Sequence, residues 1–232
     1  GLGIPAEPLF RSSYPYVEET PMSIMCKEIS CGMQDAGFET RTFMPRWGTI
    51  NERRGQLHEV IRLSGINISI GELDLPLLIK VASIVGSKAQ VYFIDNEELY
   101  GKKNIKKTHA KSGIHAEFFA RGVIETVKKL RWVPDIIHCQ GTITHQVPFL
   151  IRKLYADEPV VNQAKVITTL FEKDSIKTAQ SAIDYSHGII LASDNYNKNL
   201  MKYLSETNKK KILKKVDQDE IIKKYTEFYN KV

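Results

Sequence analysis

Apolar residues at Met22, Met25, Ile29 and Met33 recur at helical spacing, which predicts one buried helix face. Thr20-Pro21 opens that helix, because threonine can cap and proline tolerates the first position, where its missing N–H would find no partner. Asp35-Ala36-Gly37 closes it, with Gly37 free to take the left-handed cap conformation. Strands are predicted at Leu9–Ser13, at Phe38–Met44 ahead of Pro45, and at the buried run Gln90–Asp95. Between the last two, β-type runs over Leu57–Ile70 and Leu77–Ile84 flank the turn-rich Gly71–Pro76 and read as an antiparallel excursion. Leu99–Gly113 is expected as a basic loop and Ala116–Leu130 as a long helix. Strands at Asp135–Cys139, Lys165–Phe171 and His187–Ala192 alternate with helices near Val147–Tyr155, Ser175–Tyr185 and Asn197–Leu204. A polar segment, Ser205–Lys215, precedes a last helix that Asp217 and Glu220 would open as a capping box. Ile221, Ile222, Tyr225, Phe228 and Tyr229 form its apolar face.

Strand and helix in alternation define the α/β class. The expectation is a single Rossmann-like, doubly wound, mostly parallel sheet, covered on both faces and carrying an antiparallel β excursion. Residues 1–232 are read as one domain, and a 42% hydrophobic composition supplies one sizeable core or two small ones. Ligands of this architecture sit beyond the carboxyl ends of the strands, at the switch point.

Composition narrows the function classes. No stretch approaches 18 apolar residues, so no membrane helix is expected, and the first residues lack a signal-peptide profile. Cys26, Cys31 and Cys139 share no C-x-x-C spacing; a disulfide framework and a zinc site are not expected, and the count fits a reducing cytoplasm. The formal charge of +6 is concentrated in Lys102–Lys111 and Lys209–Lys215. Neither stretch is interleaved with aromatics, so nucleic acid is not an expected partner. Such runs are most often solvated faces, with an anionic ligand as the alternative.

Several segments, in order, resemble the N-terminal domain of glycogen and starch synthases, two-domain retaining glucosyltransferases of the GT-B type. Thr42–Gly48 is similar to that family's M-P-x-Y-G stretch and Tyr92–Asn96 to its Y-F-I-D strand end. Phe118–Gly122 resembles its F-F-x-R helix, and Pro134–Cys139 its P-D-V-(V/I)-H strand. The resemblance runs from about Leu9 to about Asn195 and implies the N-terminal half of a GT-B fold, with room for only one of that fold's two halves. It is similar to a short, single-domain group of synthase-like proteins of Bacteroidetes type.

The resemblance implies a cleft for ADP-glucose or UDP-glucose and an α-1,4-glucan, with no cofactor and no metal. It assigns to that cleft Tyr16, Glu18, Thr20, Ser23, Asp95, Asn96, His138, Gln140 and Gly141. Three departures stand out. Where the family carries K-x-G-G-L, this chain has Glu18-Glu19-Thr20-Pro21-Met22, placing an anion beside phosphate and replacing the glycine pair. Residual anion binding at the helix start would rest on Ser23 and the dipole. The family's H-x-H-D-W is here His138-Cys139-Gln140-Gly141-Thr142; glutamine can bond a hydroxyl but cannot carry a proton as imidazole does. In place of an aspartate before the long helix stands Gly113. His138, at a strand end, reads more readily as a satisfied structural histidine than as a catalyst, and His145, three residues before Pro148, as surface at a helix start.

Two functions are therefore carried forward. One is an active glucosyltransferase, completed by a partner chain. The other is an impaired relative that recognises glucan, nucleotide sugar or a synthase partner. The face that would pack on the second half could also take a second copy of this chain.

Overall fold

The structure is a computed structural model that describes residues 16, 20–103, 112–207 and 211–232. The strand expected at Leu9–Ser13 lies outside the described residues. Helix α1 (Pro21–Asp35) begins and ends as its sequence requires. Gly37 has φ of 94°, and the Phe38 and Gly37 N–H groups bond the Met33 and Gln34 carbonyls, a Schellman closure. That closure uses Phe38, so β1 is only Thr42–Pro45 rather than beginning at Phe38.

The excursion is antiparallel, as expected. The run Leu57–Ile70 is not continuous, however: β2 (His58–Glu59) and β3 (Ile66–Ile70) are separated by a 3-10 turn at Ile61–Leu63. Strand β4 (Leu73–Ser83) pairs with β3 through a two-residue turn at Gly71-Glu72, where Gly71 takes φ of 60°. Strand β5 (Gln90–Asp95) lies antiparallel to β4 and parallel to β1. Helix α2 (Glu97–Tyr100) is capped by Asn96, so the stretch expected as a loop from Leu99 begins inside a helix. Helix α3 (Ser112–Leu130) starts four residues ahead of the expected Ala116.

The second half is a regular parallel ladder. Strand β6 (Ile136–Gln140) leads through a 3-10 turn at Thr142–Thr144 to α4 (Val147–Arg152). Strand β7 (Lys165–Leu170), α5 (Ile176–Tyr185), β8 (Gly188–Leu191) and α6 (Lys198–Glu206) follow. Strand β9 (Lys211–Leu213) then pairs parallel to β8, inside a segment the sequence marks only as polar. The expected capping box is not formed. Gln218–Glu220 winds as a 3-10 turn with no side-chain bond from Asp217, and α7 (Ile221–Lys231) starts after it.

Among the described residues the strands make two sheets, a mixed one ordered β1-β5-β4-β2 with β3 on β4, and a parallel one ordered β6-β7-β8-β9. One core cluster joins them, because Phe43, Phe93 and Ile79 of the first sheet share it with Ile137 and Val166 of the second and Phe118 and Phe119 of α3. A second cluster packs Ile29 and Met33 of α1 and Tyr225, Phe228 and Tyr229 of α7 on Ile136, Ile167 and Ile190. The later turns of α1 thus lie against the start of β6, and its N-terminal end is directed toward the carboxyl ends of the strands.

Candidate functional site

Those carboxyl ends gather the residues that could act on a ligand, and most of them are already occupied by neighbours. At the start of α1, Thr20 Oγ1 accepts from the Ser23 N–H at 3.1 Å and Ser23 Oγ accepts from the Thr20 N–H at 2.7 Å. Ser23 also donates to the Thr20 carbonyl at 3.0 Å and is 1% exposed. The Ile24 N–H bonds the Thr20 carbonyl at 3.0 Å, and Pro21 has no N–H to give. A helix start binds anions with its free N–H groups; here the Ser23 and Ile24 N–H groups are used within the cap. Glu18, the neighbouring candidate, lies outside the described residues.

Tyr16 is 4% exposed. Its ring meets Phe93 edge-on at 5.1 Å and its phenol donates to the Ser83 carbonyl at 3.2 Å. Burial, with Cys31 adding, pushes the phenol up to about 12. Asp95 is the centre of an ion network: Arg46 Nε lies 2.8 Å from its Oδ1 and Lys80 Nζ 2.8 Å from its Oδ2. Arg46 also pairs with Glu97, and Lys80 with Glu52. Burial works against the Arg46 charge, yet Asp95 and Glu97 hold the guanidinium above its ordinary value. Asn96 accepts from the Leu99 N–H at 3.0 Å and donates to the Pro76 carbonyl at 3.0 Å. These residues hold β1, β4, β5 and α2 together.

His138 lies within β6 and is wholly buried. Its Nδ1 is 2.6 Å from Tyr229 Oη of α7 and its Nε2 2.6 Å from Thr169 Oγ1 of β7. Burial lowers its pKa to about 3, so the ring is neutral and the two hydroxyls divide donor and acceptor roles. This is the satisfied structural histidine among the two readings. Gln140, two residues along the same strand face, is equally buried, but neither its Oε1 nor its Nε2 has a partner. An amide in that state is costly unless something bonds it. Gly141 follows with φ of 87° and ψ of 160°, a conformation glycine adopts without strain, and turns the chain into Thr142–Thr144. The structure therefore groups Gln140 and Gly141 at one strand end and removes His138 from it.

His145 is not at the surface, as its place before Pro148 suggested, but 4% exposed. It is held by the turn at α5, which no local sequence signal announces. Among the described residues there is no cluster of three or more metal-ligating side chains, and no helix is long and apolar enough to cross a membrane.

The chain is a doubly wound α/β unit with an unpartnered buried amide, Gln140, at the carboxyl edge of its parallel sheet. Comparison with known proteins is narrower. The sequence model of the starch synthase catalytic domain matches residues 12–174. Glycogen synthase of Chlorobium phaeobacteroides is 36% identical over 163 residues, covering 67% of this chain and 33% of that protein. That of Pelodictyon phaeoclathratiforme is 35% identical over the same length. The catalytic domain of starch synthase IV from Arabidopsis thaliana, solved with ADP and acarbose, superposes with a TM-score of 0.73 at 15% identity over 94% of this chain and 53% of that one. The chain belongs to the glycogen/starch synthase family of glycosyltransferases, and it spans about a third of the length of the curated relatives it matches.

Proposed function

We propose that this chain keeps the synthase fold for recognition of an α-glucan or a nucleotide sugar and does not transfer glucose as it stands. The observation that carries the reading is the closed start of α1, where Thr20 and Ser23 bond each other's N–H groups. Phosphoryl leaving groups in sugar transfer need fixed donors or cations aimed at the charge that develops. Here the Ser23 N–H is spent on the Thr20 hydroxyl, proline removes another donor, and the place of the family's lysine is taken by the anionic Glu18. Gln140 supports retained recognition, because a buried amide with a free donor and a free acceptor matches a hydroxyl.

The test is calorimetric titration with ADP-glucose, UDP-glucose and maltoheptaose, run beside a labelled-glucose transfer assay. Binding heat from glucan or nucleotide sugar without incorporation of glucose is the expected result. Incorporation of label into glucan by the purified chain overturns it. The family membership favours the second reading, a transferase completed by a partner chain; activity appearing only on addition of a second polypeptide would establish that one instead.

A further inference from the structure

The loops after β6 and β7 meet at a pair of buried side chains that the cleft does not use. His145 Nδ1 lies 2.7 Å from the Thr178 carbonyl in the first turn of α5. A carbonyl only accepts, so Nδ1 carries the hydrogen. In the neutral ring Nε2 is then a bare lone pair, and it is buried with no hydrogen-bond partner. It faces Asp174 Oδ1 at 3.8 Å, with both side chains nearly buried, 5% and 6% exposed. The other carboxylate oxygen, Oδ2, accepts from the Phe171 N–H at 2.8 Å. With a neutral ring and an ionised carboxylate, Nε2 and Oδ1 face each other as two acceptors.

We propose that His145 and Asp174 form a proton-operated clip between these loops: one proton taken from solvent onto the pair converts the facing acceptors into a hydrogen bond. Shared as Nε2–H⁺ with the carboxylate, it makes a charge-assisted bond whose ordinary length is about 2.7–2.9 Å, roughly 1 Å shorter than the present gap. Closure draws His145 toward Asp174 and with it the turn Gly141–Thr144, which is tied internally by Thr144 Oγ1 to the Gly141 carbonyl at 2.6 Å. Gln140 is the residue before that turn. Proton uptake therefore sets the position of the chain beside the open amide.

Glu172 and Lys173 precede Asp174 in the same loop, and Lys177 sits beside Thr178 in the first turn of α5. Among the described residues no other carboxylate lies within 4.0 Å of a His145 nitrogen. From α5 the ring is bonded by the Thr178 carbonyl. From the loop after β8, Tyr196 stands in the field of the pair. Its phenol is raised by burial and further by the Asp174 and Asp194 carboxylates, and it donates to the Leu170 carbonyl at 2.6 Å. The 142–144 turn packs on α3, whose nearby His115 is spent on the Leu99 carbonyl at 3.1 Å.

Asp174→Asn separates this clip from a merely structural pair. The Phe171 N–H fixes the amide oxygen where Oδ2 now sits, so the amide nitrogen takes the place of Oδ1 and donates to Nε2 with no proton required. The variant is expected to melt about 2–4 °C above the parent at pH 8.0, with that advantage shrinking or reversing at pH 5.5. Taking the difference between variant and parent cancels the titration of every other group, His138 included. An advantage equal at both pH values, or a variant less stable than the parent at pH 8.0, overturns the clip. A second reading needs no variant: nitrogen NMR of the parent at pH 8.0 is expected to show His145 as the Nδ1–H tautomer. Detection of the Nε2–H form overturns it as well.

Discussion

At the scale of single residues, burial decides what each polar group can do. His138 is held neutral to about pH 3, while in the unfolded chain a histidine titrates near 6.5. Between those values the unfolded state binds the extra proton, so stability falls as pH drops from 6.5 toward 3 and is full above it. A His138→Met variant, apolar and of similar size, should show a flatter decline of melting temperature between pH 6.5 and 4; an unchanged slope would refute burial as its origin. Tyr229→Phe tests the same site from α7. It leaves a buried ring nitrogen without its partner at 2.6 Å, a loss of about 1–3 kcal/mol readable by urea denaturation. The residue types at 138, 140 and 141 were legible as a motif region. Which of them stayed open was not, because Tyr229 is 91 positions away and nothing local marks it as the histidine's partner.

Elements were legible where a local chemical rule is complete in itself. Thr20-Pro21 and Gly37 delimit α1 because cap, proline and left-handed glycine act within one turn. Thr20→Ala should cost about 1 kcal/mol in chemical denaturation, and it should not raise ADP affinity if Pro21 and the buried Ser23 still close the helix start. A measurable gain in ADP binding would locate the whole obstruction in the cap. Elements were misread where tertiary contacts overrule composition. Strand β9 lies inside the lysine-rich segment 209–215, yet it closes the edge of the parallel sheet through Ile189 and Ile190 opposite Ile212 and Leu213. Lysine at a sheet edge also discourages pairing with other chains. Asp217 and Glu220 satisfy the capping spacing, but the chain winds a 3-10 turn there, with Gln218 bonded to Glu28 of α1 at 2.6 Å.

For the whole molecule, the question is whether two sheets make one cooperative unit. The cluster containing Phe43, Phe93, Ile79, Ile137 and Val166 crosses from one sheet to the other. The α1–α7 cluster meanwhile joins residues near both ends of the described chain to the parallel sheet. Phe228 is the sharpest probe of the second, being 6% exposed and lying where a Cβ on Gly188 would come within 3.0 Å of its ring. Ile79, wholly buried at the centre of β4, probes the first. Phe228→Ala should cost about 3–5 kcal/mol and Ile79→Ala about 2–5 kcal/mol. If the shared core couples the sheets, each variant lowers the urea midpoint of a single transition followed by both fluorescence and circular dichroism, with the slope unchanged. Separate transitions, one moved by Phe228→Ala and the other by Ile79→Ala, would mean that the sheets unfold independently despite their common cluster. Ligand binding at Gln140 would then stabilise the parallel sheet alone.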